Sequence, residues 1–278
     1  MERVLVVRMT PISHFDDDSS DGGPWLVVNN YNLRSRLIVG IEQYNSPEVV
    51  RDVFIGSNSE LLIVTVDKRK VRRGLPLTAL LDYLKDLSPV LVGTTCYAGS
   101  SDEAVLTARL LRDSLGVDLI KLDVRPDKDR SLPDNTATIK AAQVLTNEGF
   151  NIIPMIIPEP AAALELQRIG CCALRLLAGS VRSGLGVTNL QIMMAVKDAV
   201  SIPCIGEGGI ATVADAAIII QNGFDAVLVN SAITKAAEPG LMAKAMRHAV
   251  AAGRLCYLAG MHPEQETAAL SGDSECRN

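Results

Sequence analysis

The sequence has no run of five basic residues, and its 27 Lys and Arg are outnumbered by 32 Asp and Glu, giving a net charge of −5. The electrostatic footprint of a nucleic-acid-binding protein is therefore missing. Although the mean hydropathy is positive, no uninterrupted apolar stretch reaches the roughly 18 residues that would read as a membrane span. The N-terminus lacks the apolar h-region of a secretory signal, because Arg8 interrupts residues 1–10. Six cysteines (Cys96, Cys171, Cys172, Cys204, Cys256, Cys276) form no CxxC pair and no disulfide-like spacing. That points to a reducing, cytoplasmic setting. The three histidines, His14, His248 and His262, lie near no cysteine or carboxylate at ligand spacing, so no metal is expected.

What is present is an ordinary globular composition, 48% hydrophobic and 21% charged over 278 residues. A chain of this size buries roughly 75% of its unfolded surface, enough for one large core without staples. Its length fits one barrel or two small domains. Residues 15–24 are acidic and turn-forming and read as a loop or joint. Upstream, residues 4–9 predict a strand. Downstream, residues 25–28 and 33–41 flank Asn29-Asn30 as a hairpin that could cap one end of a barrel.

Beyond Arg36, short β-branched apolar runs alternate with stretches of 3.6-residue periodicity, eight pairs in all. The predicted strands are 36–41, 61–67, 90–95, 119–124, 151–156, 173–178, 202–207 and 226–230. Ser46-Pro47, Ser101 and Thr212 read as helix starts. Gly116, Gly149, Gly170, Gly223 and Gly253 read as helix stops. Such alternation requires a parallel sheet covered by helices. An open doubly wound sheet would carry a glycine-rich dinucleotide fingerprint after its first strand, and Gly40-Ile41-Glu42 is not one. The expected fold is an α/β (β/α)8 TIM barrel over 36–260, with an N-terminal β extension and acidic linker (1–35) and a polar tail (261–278).

In such a barrel, chemistry gathers where strands end at their C-terminal side. The polar residues there are Asp67, Thr94, Thr95, Lys121, Asp123, Glu207 and Asn230. In the fourth strand Lys121 and Asp123 are two apart and share one face, with Ile120, Leu122 and Val124 on the other. A buried lysine carries an expensive charge and tends to lose its proton, the state in which an amine attacks carbonyls. The plainer reading is an ion pair that only fills the interior. Gly206-Glu207-Gly208-Gly209 at the end of the seventh strand, and Asn230-Ser231 at the end of the eighth, suit a phosphate cradle leading into a helix N-terminus. Ordinary loop punctuation is the alternative there. After the sixth strand, Arg182, Ser183 and Gly184 lie in a flexible loop whose guanidinium could clamp a phosphate or sit solvated. The charged runs 125–130 and 68–73 read as solvated loops. Cys171, Cys172 and Cys204 read as small core residues, whereas Cys96, at a strand end, could be a reactive thiol.

Several motifs then combine: Ile120-Lys121-Leu122-Asp123-Val124, Leu132-Pro133-Asp134, Glu148-Gly149-Phe150, Ser183-Gly184-Leu185-Gly186, Asn230-Ser231-Ala232, and Met242-Ala243-Lys244-Ala245-Met246 leading to Ala252-Gly253-Arg254. With these, residues 25–260 resemble the thiazole synthase family. The resemblance implies that Lys121 forms an imine with a ketose phosphate and that sulfur comes from the C-terminal Gly-Gly thiocarboxylate of a small sulfur-carrier protein. It also implies that Gly208, Gly209, Asn230 and Ser231 hold the ligand, chiefly its phosphate. No metal or nicotinamide is called for, and a homo-oligomer is implied.

The departures from the family cluster at the same mouth. Where the family has a glutamate two residues after the lysine and an aspartate ending the seventh strand, this chain has Asp123 and Glu207. That exchange keeps both charges and moves each by about one methylene. The Pro-Ile-Gly-Ser-Gly loop reads Ser180-Val181-Arg182-Ser183-Gly184, and the usual Asn-Thr-Ala-Gly after the third strand becomes Gly93-Thr94-Thr95-Cys96-Tyr97-Ala98-Gly99. A changed site on a kept framework points to the same first steps on another substrate. The likeness is to the 2-thiosugar synthase branch of antibiotic pathways, which implies conversion of glucose 6-phosphate to 2-thioglucose 6-phosphate. Two alternatives stand beside it: a thiazole synthase acting on 1-deoxy-D-xylulose 5-phosphate, and a non-catalytic phosphate-binding barrel in which Lys121 only pairs with Asp123.

Overall fold

The computed structural model describes residues 23–29, 31–40, 44, 46–65, 77–127 and 129–261. The predicted strand at 4–9, the acidic joint up to residue 22, Asp67, the run 68–73 and the tail from 262 lie outside these.

The chain begins with an antiparallel hairpin, β1 (Leu26–Val28) and β2 (Tyr31–Leu33), in which Leu26 faces Leu33. Eight parallel strands follow: β3 (Leu37–Val39), β4 (Leu61–Val64), β5 (Val90–Thr94), β6 (Leu119–Leu122), β7 (Asn151–Ile156), β8 (Leu174–Leu177), β9 (Cys204–Glu207) and β10 (Ala226–Val229). Their order, β3-β10-β9-β8-β7-β6-β5-β4, brings β3 back beside β4 and makes a nearly closed barrel. The expected (β/α)8 fold is thus the fold observed. Helices α1 (Pro47–Ser57), α2 (Leu77–Leu84), α3 (Ser101–Leu115), α4 (Asn135–Asn147), α5 (Pro160–Ile169), α6 (Leu190–Ala199) and α7 (Val213–Gln221) each return the chain to the next strand. After β10 come the short α8 (Ser231–Thr234) and the long α9 (Pro239–Ala259). Among the described residues no helix is long and apolar enough to cross a membrane.

Local chemistry accounts for these boundaries, with two corrections. Ser46 caps α1 and Thr212 closes a capping box with Asp215 on α7. The cap of α3, however, is Ser100, whose hydroxyl accepts from Glu103 N at 3.2 Å; Ser101 is already inside the helix and buried. Gly253, read as a helix stop, lies within α9. A Cβ there would meet the carbonyl oxygen of Ala217 at 2.7 Å, so this glycine lets α9 pack directly on α7. Its role is close approach rather than termination.

Strand alternation divides the buried residues into two layers. Ile120, Leu122 and Val124 point outward to Leu111, Ala141 and Leu145 in the shell between sheet and helices. Leu119, Ile153, Ile205 and Leu228 point inward and meet Trp25, Leu26, Val28 and Leu33 of the hairpin. That apolar layer seals one end of the barrel, and Trp25 is pinned by a 2.9 Å bond from its indole N–H to the Ser35 carbonyl. Two residues further along β6, β8 and β9, the interior changes from apolar to charged, at Lys121, Arg175 and Glu207.

Candidate active site

The face of β6 that begins with Leu119 continues through Lys121, Asp123 and Arg125 at a period of two. Lys121 is 6% exposed and Asp123 wholly buried. The Lys121 ammonium nitrogen Nζ lies 3.1 Å from Asp123 Oδ2 and 3.3 Å from Glu207 Oε1, which arrives from the end of β9. The lysine is therefore held between two carboxylates, as close as hydrogen-bonding partners. The backbone of Asp123 is fixed by Thr95, whose hydroxyl accepts from Asp123 N and donates to Asp123 O, both at 2.8 Å.

Two arginines complete the cluster, and the strand-end pattern of the sequence assigns neither to it. Arg175, 1% exposed in the middle of β8, donates to Asp123 Oδ2 at 3.0 Å through Nη2 and to Glu207 Oε2 through Nη1. Its remaining donors reach the carbonyls of Ile153 at 3.1 Å and Leu122 at 2.8 Å. Arg125, expected in a solvated loop, instead turns inward and donates to Asp123 Oδ1, while Asp129 and Arg130 of the same run are exposed. Its backbone N–H bonds the Ala98 carbonyl at 2.8 Å, which carries the chain inward. The side chain of Arg125 is only 10% exposed, and its Nε is buried with no hydrogen-bond partner. A donor left in that state costs about 1–3 kcal/mol.

The electrostatics follow from this packing. Burial opposes the ionisation of Asp123, but Arg125, Arg175 and Lys121 together outweigh it and hold the carboxyl well below the usual carboxylate range. Glu207 behaves likewise: burial and Asp123 push it up, while Arg175 and Lys121 pull it down and prevail. Burial also works against the charge of Arg125, yet Asp123 and Glu207 raise it above its ordinary value.

Lys121 and Glu207 open into a cleft of about 710 Å³, open solvent included. One wall is Cys96, Tyr97 and Arg125, beyond β5 and β6. The other is Arg182, Gly184, Gly208, Gly209, Asn230 and Ser231, from the loops after β8, β9 and β10. The two loops carrying the glycines interlock. Gly208 and Gly209 have φ of +91° and +76°, and a Cβ would meet the carbonyl oxygens of Gly179 at 2.7 Å and Gly186 at 2.5 Å. Arg182 shares the left-handed region at φ +64°, although it is not glycine. Ser183 is turned into its own loop, donating to the Ser180 carbonyl at 2.8 Å and accepting from Leu185 N at 3.2 Å. Just ahead of α7, Asp215 accepts from the amides of Ala211 and Thr212 at 3.0 and 2.8 Å, and Thr212 Oγ1 accepts from Asp215 N at 3.3 Å, so these three amides are already paired. Cys171 and Cys204 are buried, and burial pushes the Cys204 thiol up to about 12. Cys96 lies in the cleft wall.

The chain is similar to known proteins over most of its length. Residues 27–273 match the family model described as thiazole biosynthesis protein ThiG. Thiazole synthase from a Nitratiruptor species is 38% identical over 252 residues, covering 90% of this chain and 96% of that protein. Thiazole synthase from Aliarcobacter butzleri is 40% identical over 248 residues, covering 88% and 95%. Among solved structures, the Amycolatopsis orientalis BexX/CysO complex contains a chain that superposes with a TM-score of 0.84 at 41% identity, covering 88% of this chain and all of that one.

Proposed function

The chain belongs to the thiazole synthase family, and from that premise we propose that it is a Schiff-base-forming enzyme that inserts sulfur into a sugar phosphate. The observation that carries this reading is the placement of Lys121 Nζ at 3.1 Å from Asp123 and 3.3 Å from Glu207 at the open end of the barrel. Imine formation needs an unprotonated amine and nearby groups that take and return protons. Two guanidinium groups, Arg125 and Arg175, already match the two carboxylates. An unprotonated Lys121 therefore leaves neither carboxylate without a cation.

The substrate is glucose 6-phosphate, opened and isomerised so that a carbonyl reaches C2. Lys121 adds to that carbon and water leaves, giving the imine. Asp123 and Glu207 move the protons. Sulfur enters from the C-terminal thiocarboxylate of a small sulfur-carrier protein, a role for which the BexX/CysO neighbour is the support. The sulfur adds to the imine carbon C2, and hydrolysis of the thioester frees the carrier as its carboxylate. The Lys121 amine then leaves C2 as a thioketone forms there, and enolisation between C1 and C2 gives 2-thioglucose 6-phosphate. In the net exchange a sugar hydroxyl becomes a thiol and the carrier leaves as the carboxylate, so no oxidant or reductant is consumed. The phosphate sits against Gly208, Gly209, Asn230 and Ser231, with Arg182 and Gly184 beside it, while Ser183 orders the loop.

A second reading is that of the curated relatives, thiazole synthase proper, acting on 1-deoxy-D-xylulose 5-phosphate. Borohydride reduction of the protein with each sugar phosphate, followed by mass spectrometry, separates the two. The expected result is an adduct of glucose 6-phosphate that disappears in Lys121→Ala. An adduct with the pentulose phosphate alone favours the second reading, and no adduct with either overturns the imine.

A further inference from the structure

We infer that Arg125 is the docking point for the anionic C-terminus of the sulfur donor, a carboxylate or thiocarboxylate group, on the wall of the cleft across the barrel from the phosphate cradle. The inference rests on the functional reading above and adds the place where the second reactant is received.

Three observations carry it. First, Arg125 keeps an unused donor. Its Nη2 is engaged by Asp123 Oδ1 and lies 3.4 Å from Met155 Sδ, while the buried Nε has no acceptor, in a side chain only 10% exposed that lines the cleft. A guanidinium cannot shed that proton, and the side chain borders the cleft, where its planar fork suits a carboxylate. Second, the strand order sets β5 and β6 opposite β9 and β10. A sugar phosphate anchored at Gly208 and Asn230, with its carbonyl at Lys121, spans half the mouth. The wall of Cys96, Tyr97 and Arg125 remains for the other reactant. Third, charge counting changes along the reaction. Once Lys121 is an iminium cation, the cluster holds three cations against Asp123 and Glu207, and an incoming anion restores the balance. Arg182, exposed on the opposite wall, is left to the phosphate.

The test measures binding to the full-length protein without sugar, by calorimetry. The probes are CysO with its natural C-terminal carboxylate and CysO ending in a C-terminal amide. The wild-type protein is expected to bind the acid form roughly tenfold or more tightly than the amide, the scale of one charge-assisted hydrogen bond. In Arg125→Met that ratio falls to near one. Arg125→Lys keeps a cation beside Asp123 but removes Nε, and it shows the same fall, so the result stands if the Met variant does not fold. Equal binding of the two probes by the wild type, binding of neither, or a ratio that survives in the folded variants overturns the inference. Failure of borohydride trapping with an intact acid-to-amide ratio would instead remove the imine reading and leave the anion site standing.

Discussion

The guanidinium of Arg175 donates to Asp123 Oδ2 at 3.0 Å, and its other terminal nitrogen is bonded to Glu207. One side chain from β8 thus spans the two carboxylates that flank Lys121 and sets their separation. It does not line the cleft and acts through the two carboxylates that move the protons, so its part is positioning.

Arg175→Met is expected to be costly out of proportion to its size. It leaves two buried carboxylates short of a cation, and breaking a buried pair from one side typically costs about 3–5 kcal/mol. Urea unfolding should show a midpoint shift of that scale. Arg175→Lys, which restores the charge but not the fork, should recover only part of it.

Asp123 and Glu207 both have lowered pKa values in the folded protein. The unfolded chain therefore binds more protons than the folded one as the pH drops through the ordinary carboxylate range, near 4. The stability these groups contribute is complete above that range and is withdrawn as the pH falls below it. Far-UV circular dichroism at fixed urea should show stability falling on the acid side. Asp123→Asn should flatten that limb while lowering stability at neutral pH.

Arg182→Gly should separate backbone strain from ligand binding. A non-glycine residue at positive φ costs roughly 1–2 kcal/mol, part of which glycine's greater freedom in the unfolded chain cancels. The variant is expected to be more stable by about 0.5–1 kcal/mol and to show a higher KM for the sugar phosphate at similar kcat. Equal KM values would make Arg182 a bystander in the cleft.

Gly253→Ala tests the packing of α9. Alanine is the better helix former by about 1 kcal/mol, yet its methyl would meet Ala217 O at 2.7 Å. Overpacking of about 1–3 kcal/mol should prevail, and the thermal midpoint should fall.

How much of this was legible in the sequence depended on the kind of signal. The β6 alternation put Lys121 and Asp123 on one face, and the strand ends supplied Glu207, because a period of two survives without tertiary information. The same rule continued two residues further reaches Arg125, but that residue opens a run of charges that resembles a solvated loop. What turns it inward is the bond from its N–H to Ala98, a contact between loops far apart in sequence. Arg175 had a signal of its own, a lone arginine between Leu174 and Leu176 in an apolar strand. Gly253 misled because glycine both ends helices and permits close packing, and only the neighbouring helix decides which.

The hairpin that seals the base of the barrel also fixes where the chain's single chromophoric indole resides. Trp25 is 7% exposed at the end remote from Lys121. Its emission should report dissociation of the hairpin from the barrel floor and remain unmoved when a ligand fills the mouth, giving an optical readout of folding that occupancy of the site does not disturb.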